Sequence, residues 1–199
     1  MTVATLPRPI AVPSKPRARP INQIVTGEEL LAMGDIGPCE LVDGRVVRMN
    51  PTGMEHADIE IALGAVLRAF VRKNRLGRVL GGEVGIYTRR NPDRVRGADL
   101  AFISHERLAG SPATGFLRVA PELAVEIVSP RDRWQDIRQK IEEYFAIGVQ
   151  WVWIVEPDHR DVLVYNASNT MRKFGEGDTL TGEGVLEGFA LPVAELFEE

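Results

Sequence analysis

The chain has 199 residues, a net charge of −4, 44% hydrophobic and 26% charged residues, which describes one ordinary globular domain able to bury a sizeable core. No apolar run reaches the length that crosses a bilayer, so no membrane role is expected and a cytoplasmic setting is. The single cysteine, Cys39, excludes an intrachain disulfide and a cysteine-based zinc site, and the acidic balance argues against indiscriminate nucleic-acid binding.

Residues 1–20 hold five prolines among Lys15, Arg17 and Arg19 and read as a disordered arm, leaving 21–199 as one domain. Thr26-Gly27-Glu28-Glu29 is a capping box that predicts a short helix through Leu30, Leu31 and Met33. Asp43-Gly44, between Glu40-Leu41-Val42 and Arg45-Val46-Val47, predicts a hairpin, because that pair accepts the positive φ of a two-residue turn. A second capping box, Thr52 to Glu55, opens a helix with Ile59, Leu63, Val66, Leu67 and Phe70 on one face and Gly77 at its end. Strands are expected over 78–80, 83–88, 99–104 and 123–129, the last closed by Pro130. A helix over 132–147 buries Ile137, Ile141, Tyr144 and Phe145 and stops at Gly148, a core strand follows over 149–155, and 161–165 returns beside it. Strand-like, turn-rich pieces and a short helix near 193–197 complete a mixed α/β (α+β) pattern, a central mixed sheet flanked by helices.

Two of these strands carry chemistry. Leu123-Ala124-Val125-Glu126-Ile127-Val128 is almost wholly apolar, as is Ala98-Asp99-Leu100-Ala101-Phe102-Ile103, and each holds one carboxylate. A buried charge costs several kcal/mol unless compensated. Side chains alternate along a strand, so Glu126 and Val128 share a face, and Asp99 on a neighbouring strand at the same level would stand beside Glu126. Such a pair repels in a dry site, and a Mg²⁺ or Mn²⁺ ion relieves the repulsion. Backbone N–H groups or an arginine would satisfy either acid alone equally well. Asp136 and Lys140 lie one turn apart on one helical face, either as a simple i,i+4 pair or with Lys140 reaching toward the acids. Basic residues cluster between Arg68 and Arg96, including Arg72, Lys73, Arg75, Arg89 and Arg90, which suits either a phosphate-facing surface or a solvated helix end.

The order of Glu40-Leu41-Val42-Asp43-Gly44, His56, Glu83, Asp99, Val125-Glu126-Ile127-Val128-Ser129-Pro130, Lys140, Tyr144 and Gly148-Val149 resembles the bacterial restriction endonuclease family of the PD-(D/E)xK nuclease superfamily. That resemblance implies a restriction-endonuclease-like sheet and a Mg²⁺- or Mn²⁺-dependent site hydrolysing DNA. Asp99 would take the place of the motif aspartate and Glu126 that of the second acid. Ala98 stands where the motif has proline, and Val128 where it usually has lysine. Lys140 on the following helix is the matching replacement. The metal would be held by Asp99, Glu126 and the carbonyl of Ile127, with Glu83 as a third acid; His56 and Asp136 are accessory candidates. Arg72, Lys73, Arg75, Arg89 and Arg90 would hold the DNA backbone, and double-strand cleavage would call for a homodimer. The competing reading is a catalytically silent nuclease-like fold that binds nucleic acid or protein.

Overall fold

The computed structural model describes residues 24–112 and 114–198; the proline-rich arm over 1–20 lies outside them. Helix α1 (Gly27–Ala32) forms where its capping box predicts, with Thr26 and Glu29 each bonding the other's backbone N–H. The hairpin of β1 (Cys39–Val42) and β2 (Arg45–Arg48) turns at Asp43-Gly44, both at positive φ. Helix α2 (Met54–Lys73) corrects the expected Thr52–Glu55 box: its N-cap is Gly53, and no side chain caps it. Its buried stripe is His56, Ile59, Leu63, Leu67 and Val71, whereas Val66 is exposed. The helix ends at Lys73, and Gly77 instead opens the next strand, where a Cβ would lie 2.1 Å from the Ile103 carbonyl oxygen.

The strands expected over 78–80 and 83–88 are one, β3 (Gly77–Arg89), paired antiparallel along β4 (Arg94–Ser104). A bulge between Gly81 and Val84 interrupts their register, and Glu83 stands there at φ 59°, a left-handed conformation that costs a non-glycine residue about 1 kcal/mol. A turn of helix, α3 (His105–Leu108), leads toward β5 (Leu123–Ile127), every residue of which is buried. Helix α4 (Trp134–Ala146) is the crossover to β6 (Trp151–Glu156), which lies parallel to β5. Strands β7 (Asp161–Ala167) and β8 (Thr170–Gly175) extend the sheet antiparallel, and β9 (Thr179–Thr181) with β10 (Ala190–Pro192) forms a small separate pair. The main sheet runs β2-β1-β4-β5-β6-β7-β8, with β3 on the far edge of β4.

Helices cover both faces. Leu100, Phe102, Val125, Ile127, Trp153 and Val155 pack with Ile59, Leu63 and Leu67 of α2. On the other face Ala98, Ala124, Val152 and Ile154 pack with Ile137, Ile141 and Tyr144 of α4. A regular strand would put positions 98 and 100 on one face. Here β4 changes face between them, opposite the β3 bulge, and Asp99 sits at the change. Among the described residues, no helix is long and apolar enough to cross a membrane.

Candidate functional site

The site occupies a split in the sheet. Along the edge of β4 away from β3, β1 pairs at Val95 and β5 begins pairing at Leu100. Between those points, among the described residues, no strand pairs with that edge of β4, and a buried backbone group without a partner is costly. Charged side chains fill the gap. Glu40 of β1 accepts from the Gly97 N–H at 3.0 Å, and the Lys140 ammonium donates to the Gly97 carbonyl at 2.9 Å. Asp99 accepts from the Ile127 N–H of β5 at 2.6 Å through its Oδ2.

Lys140 is shared. Its Nζ lies 2.7 Å from Glu126 Oε2 and 3.0 Å from Glu40 Oε1, while the Tyr144 hydroxyl donates to Glu126 Oε1 at 2.6 Å. One helical face of α4 therefore supplies both donors to Glu126, because positions 140 and 144 are one turn apart. Arg96 bridges Glu40, at 2.8 Å, and Glu143, which it grips through two nitrogens at 2.7 and 2.8 Å. Such forked pairs fix geometry as well as charge.

Burial opposes the charge of Lys140, but Glu126 and Glu40 outweigh it and raise its pKa. Burial likewise works against Glu40, yet Lys140 and Arg96 hold its carboxyl below the usual range. Glu126 is pushed upward by burial despite Lys140 and Tyr144. Asp99 is pushed up to about 9, first by burial and then by repulsion from Glu126. Glu83, whose carboxylate lies against Gly97 at 2.7 Å from where a Cβ would stand, is also raised by burial. His56 Nε2 lies 3.2 Å from Asp99 Oδ2 but off hydrogen-bond alignment, and among the described residues neither ring nitrogen of this buried imidazole makes a hydrogen bond. Burial lowers its pKa.

Lys140, Glu126, Asp99, Glu83 and His56 line one cleft of about 700 Å³ at the carboxyl end of β5, between the amino ends of α2 and α4. Ligands of open α/β sheets bind outside the carboxyl ends of parallel strands, as this cleft would allow. Arg48, Arg131 and Arg133 line it too. Among the described residues, no group of three or more His, Cys, Asp or Glu side chains is arranged to hold a metal ion. A magnesium ion needs only one or two carboxylates, with waters and a phosphate. The Asp99 and Glu126 carboxylates with the Ile127 carbonyl fit it in kind: among the described residues Asp99 Oδ1 takes no hydrogen bond, and each Glu126 oxygen keeps a second lone pair.

The Uma2 family profile, described as "Putative restriction endonuclease", matches residues 28–194. The chain belongs to the Uma2 family. This Uma2 protein is also similar in fold to the crystal structure of "a putative nuclease belonging to DUF820 from Anabaena variabilis", with a TM-score of 0.73 and 20% identity over 87% of this chain and 97% of that one. No curated protein matches it. Family and fold together show a PD-(D/E)xK-like nuclease architecture.

Within the Uma2 protein, the structure brings together Asp99, Glu126, Ile127, Lys140, Glu83, His56 and Asp136, all expected at the site; all seven line the cleft. No Asp136–Lys140 pair forms, because Lys140 turns inward to Glu126 and Glu40. The basic residues expected on DNA are elsewhere. Arg72 lies 16 residues beyond His56 on α2, about 24 Å along the helix axis, with Lys73 and Arg75 just past it. Arg89 pairs with Asp43, and Arg90 with Glu28 and Asp93, so these two brace the β1–β2 and β3–β4 hairpins. Sequence reasoning quoted Glu40 and Tyr144 among the residues that carry the family resemblance but gave neither a role in the site, and it gave none to Arg96 or Glu143. The available signal was Arg94 and Arg96 alternating at the start of a largely apolar strand, which demands buried acids nearby.

Proposed function

We propose that this protein binds nucleic acid in the cleft above Asp99 and Glu126, as a nuclease-fold module whose central carboxylate is neutralised from within. The observation that carries this reading is the double engagement of Glu126, with Lys140 on one oxygen and Tyr144 on the other. The lysine ammonium already occupies the counter-ion role beside that acid. Arg48, Arg131 and Arg133 on the cleft wall supply the positive charge that a phosphate backbone seeks.

A second reading, metal-dependent phosphodiester hydrolysis, is favoured by Asp99. Its free Oδ1 and a pKa raised by the neighbouring Glu126 are what a divalent cation would relieve. Asp99, Glu126 and the Ile127 carbonyl would hold a Mg²⁺ or Mn²⁺ ion, which would activate water and polarise a phosphate. Lys140 would then steady charge at the phosphate, and Glu40 with Arg96 would keep Lys140 in place. A homodimer would present two such clefts, one to each strand.

One experiment separates the readings. Labelled duplex and single-stranded DNA are titrated by fluorescence anisotropy, and supercoiled plasmid is incubated with Mg²⁺ or Mn²⁺. Binding without nicking supports the first reading. Nicking that Asp99→Asn and Glu126→Gln both abolish selects the second. Absence of binding in low salt refutes both.

A further inference from the structure

Resting on the nucleic-acid-binding reading, we propose that the cleft contains a built phosphate subsite, formed by the first turn of α2 and the His56 imidazole, that takes one backbone phosphate. Helix α2 runs for 20 residues, so its amino end carries a developed partial positive charge. Its N-cap is Gly53, which makes no side-chain cap. The first intrahelical bond is Ala57 N–H to the Gly53 carbonyl at 3.1 Å. The N–H groups of Met54, Glu55 and His56 precede that bond and therefore lack an intrahelical acceptor. A helix end left in this state on a cleft wall needs an anion or water.

His56 supplies the independent sign that the anion is a ligand. It is 7% exposed and lines the cleft; among the described residues neither ring nitrogen makes a hydrogen bond, Nε2 having only the misaligned 3.2 Å contact with Asp99. A buried polar group left unsatisfied costs about 1–3 kcal/mol, and an incoming phosphate oxygen would remove that cost. The α4 amino end faces the same cleft through Arg133, again without a side-chain cap. Asp132 and Asp136 stand on that side, and Asp132 spends one oxygen on the Ser129 N–H at 2.7 Å. Asp132 and Glu60 also act on His56, so the α2 end is assigned the phosphate by its donors, the His56 ring and the uncapped N–H groups. The phosphate would lie beside Asp99 and across from the arginine-bearing loop of Arg131, where a nucleic-acid strand passing over the acid pair would present it.

The test is a titration of the full chain, followed by ¹H–¹⁵N correlation spectra, with inorganic phosphate in one arm and a short single-stranded deoxyoligonucleotide in the other. Saturable shifts at the amides of residues 54–56 are expected in both arms. His56→Ala should weaken phosphate binding about tenfold, and His56→Gln, which keeps a donor, should recover most of it. Unmoved amides at 54–56, shifts confined to residues 72–75, or equal affinity in a folded His56→Ala variant would overturn the subsite. If the oligonucleotide binds while 54–56 stay unmoved, the subsite fails and the nucleic-acid reading stands. If phosphate binds there and the oligonucleotide binds nowhere, that reading fails and the subsite stands.

Discussion

Replacing Asp99 by asparagine should stabilise the protein at alkaline pH while damaging whatever the site does. Asp99 is 5% exposed, and its pKa moves from an ordinary 3.8 to about 9 through burial and the adjacent Glu126. Across that window the folded protein retains a proton that the unfolded chain has released, so stability falls as pH rises. Each pH unit inside the window corresponds to about 1.4 kcal/mol, so raising the pH from 7 to 8.5 should cost about 2 kcal/mol. For a domain of this size that is about 4–8 °C in Tm. His56 has the opposite sign. Its lowered pKa contributes stability that is complete above its ordinary 6.5, so it adds no slope in the chosen interval. Asparagine keeps an acceptor for the Ile127 N–H and carries no proton to lose. Guanidinium unfolding of wild type and Asp99→Asn at the two pH values gives the comparison. The reasoning is refuted if wild-type stability is flat or rises over this range, or if the variant keeps the full wild-type slope.

Lys140→Met should leave Glu126 and Glu40 buried without their shared cation, destabilising the fold by about 3–5 kcal/mol, and Glu126→Gln in the same chain should recover part of the loss in chemical denaturation. Tyr144→Phe removes one donor to Glu126 with little change in volume, and a loss of about 1–2 kcal/mol is expected from the same measurement. Arg96→Met and Glu143→Gln should be strongly non-additive, since the two residues share a forked ion pair; a double-mutant cycle that closes to zero would show the pair to be energetically idle. Arg131→Ala should weaken DNA binding and reduce its salt slope by about one, whereas Arg72→Ala at the far end of α2 should leave both unchanged.

Much of this architecture was legible in the chain, because local pattern reports burial and element type. The apolar run around Glu126 could only be a core strand, the spacing of Ile137, Ile141 and Tyr144 could only be a helix laid on a sheet, and Asp43-Gly44 could only be a tight turn. The acid pair was a candidate for the same reason, since a charge inside a greasy strand calls for a partner, whereas Lys140 read equally as an i,i+4 partner of Asp136 and was singled out by the family resemblance.

The identity of each partner was not readable, because it depends on register between segments far apart in sequence. Nothing near Glu40 says that its strand stops at Val95 of β4 and leaves Gly97 to be satisfied by carboxylate and ammonium. Nothing near Asp99 says that a bulge in the neighbouring strand turns β4 over at that residue. The basic residues show the limit most plainly. Their charge was countable from the sequence, but whether an arginine faces a ligand or braces a hairpin follows from helix length and strand order. Folding therefore placed Arg131 and Arg133 on the cleft and sent Arg72, Arg89 and Arg90 elsewhere.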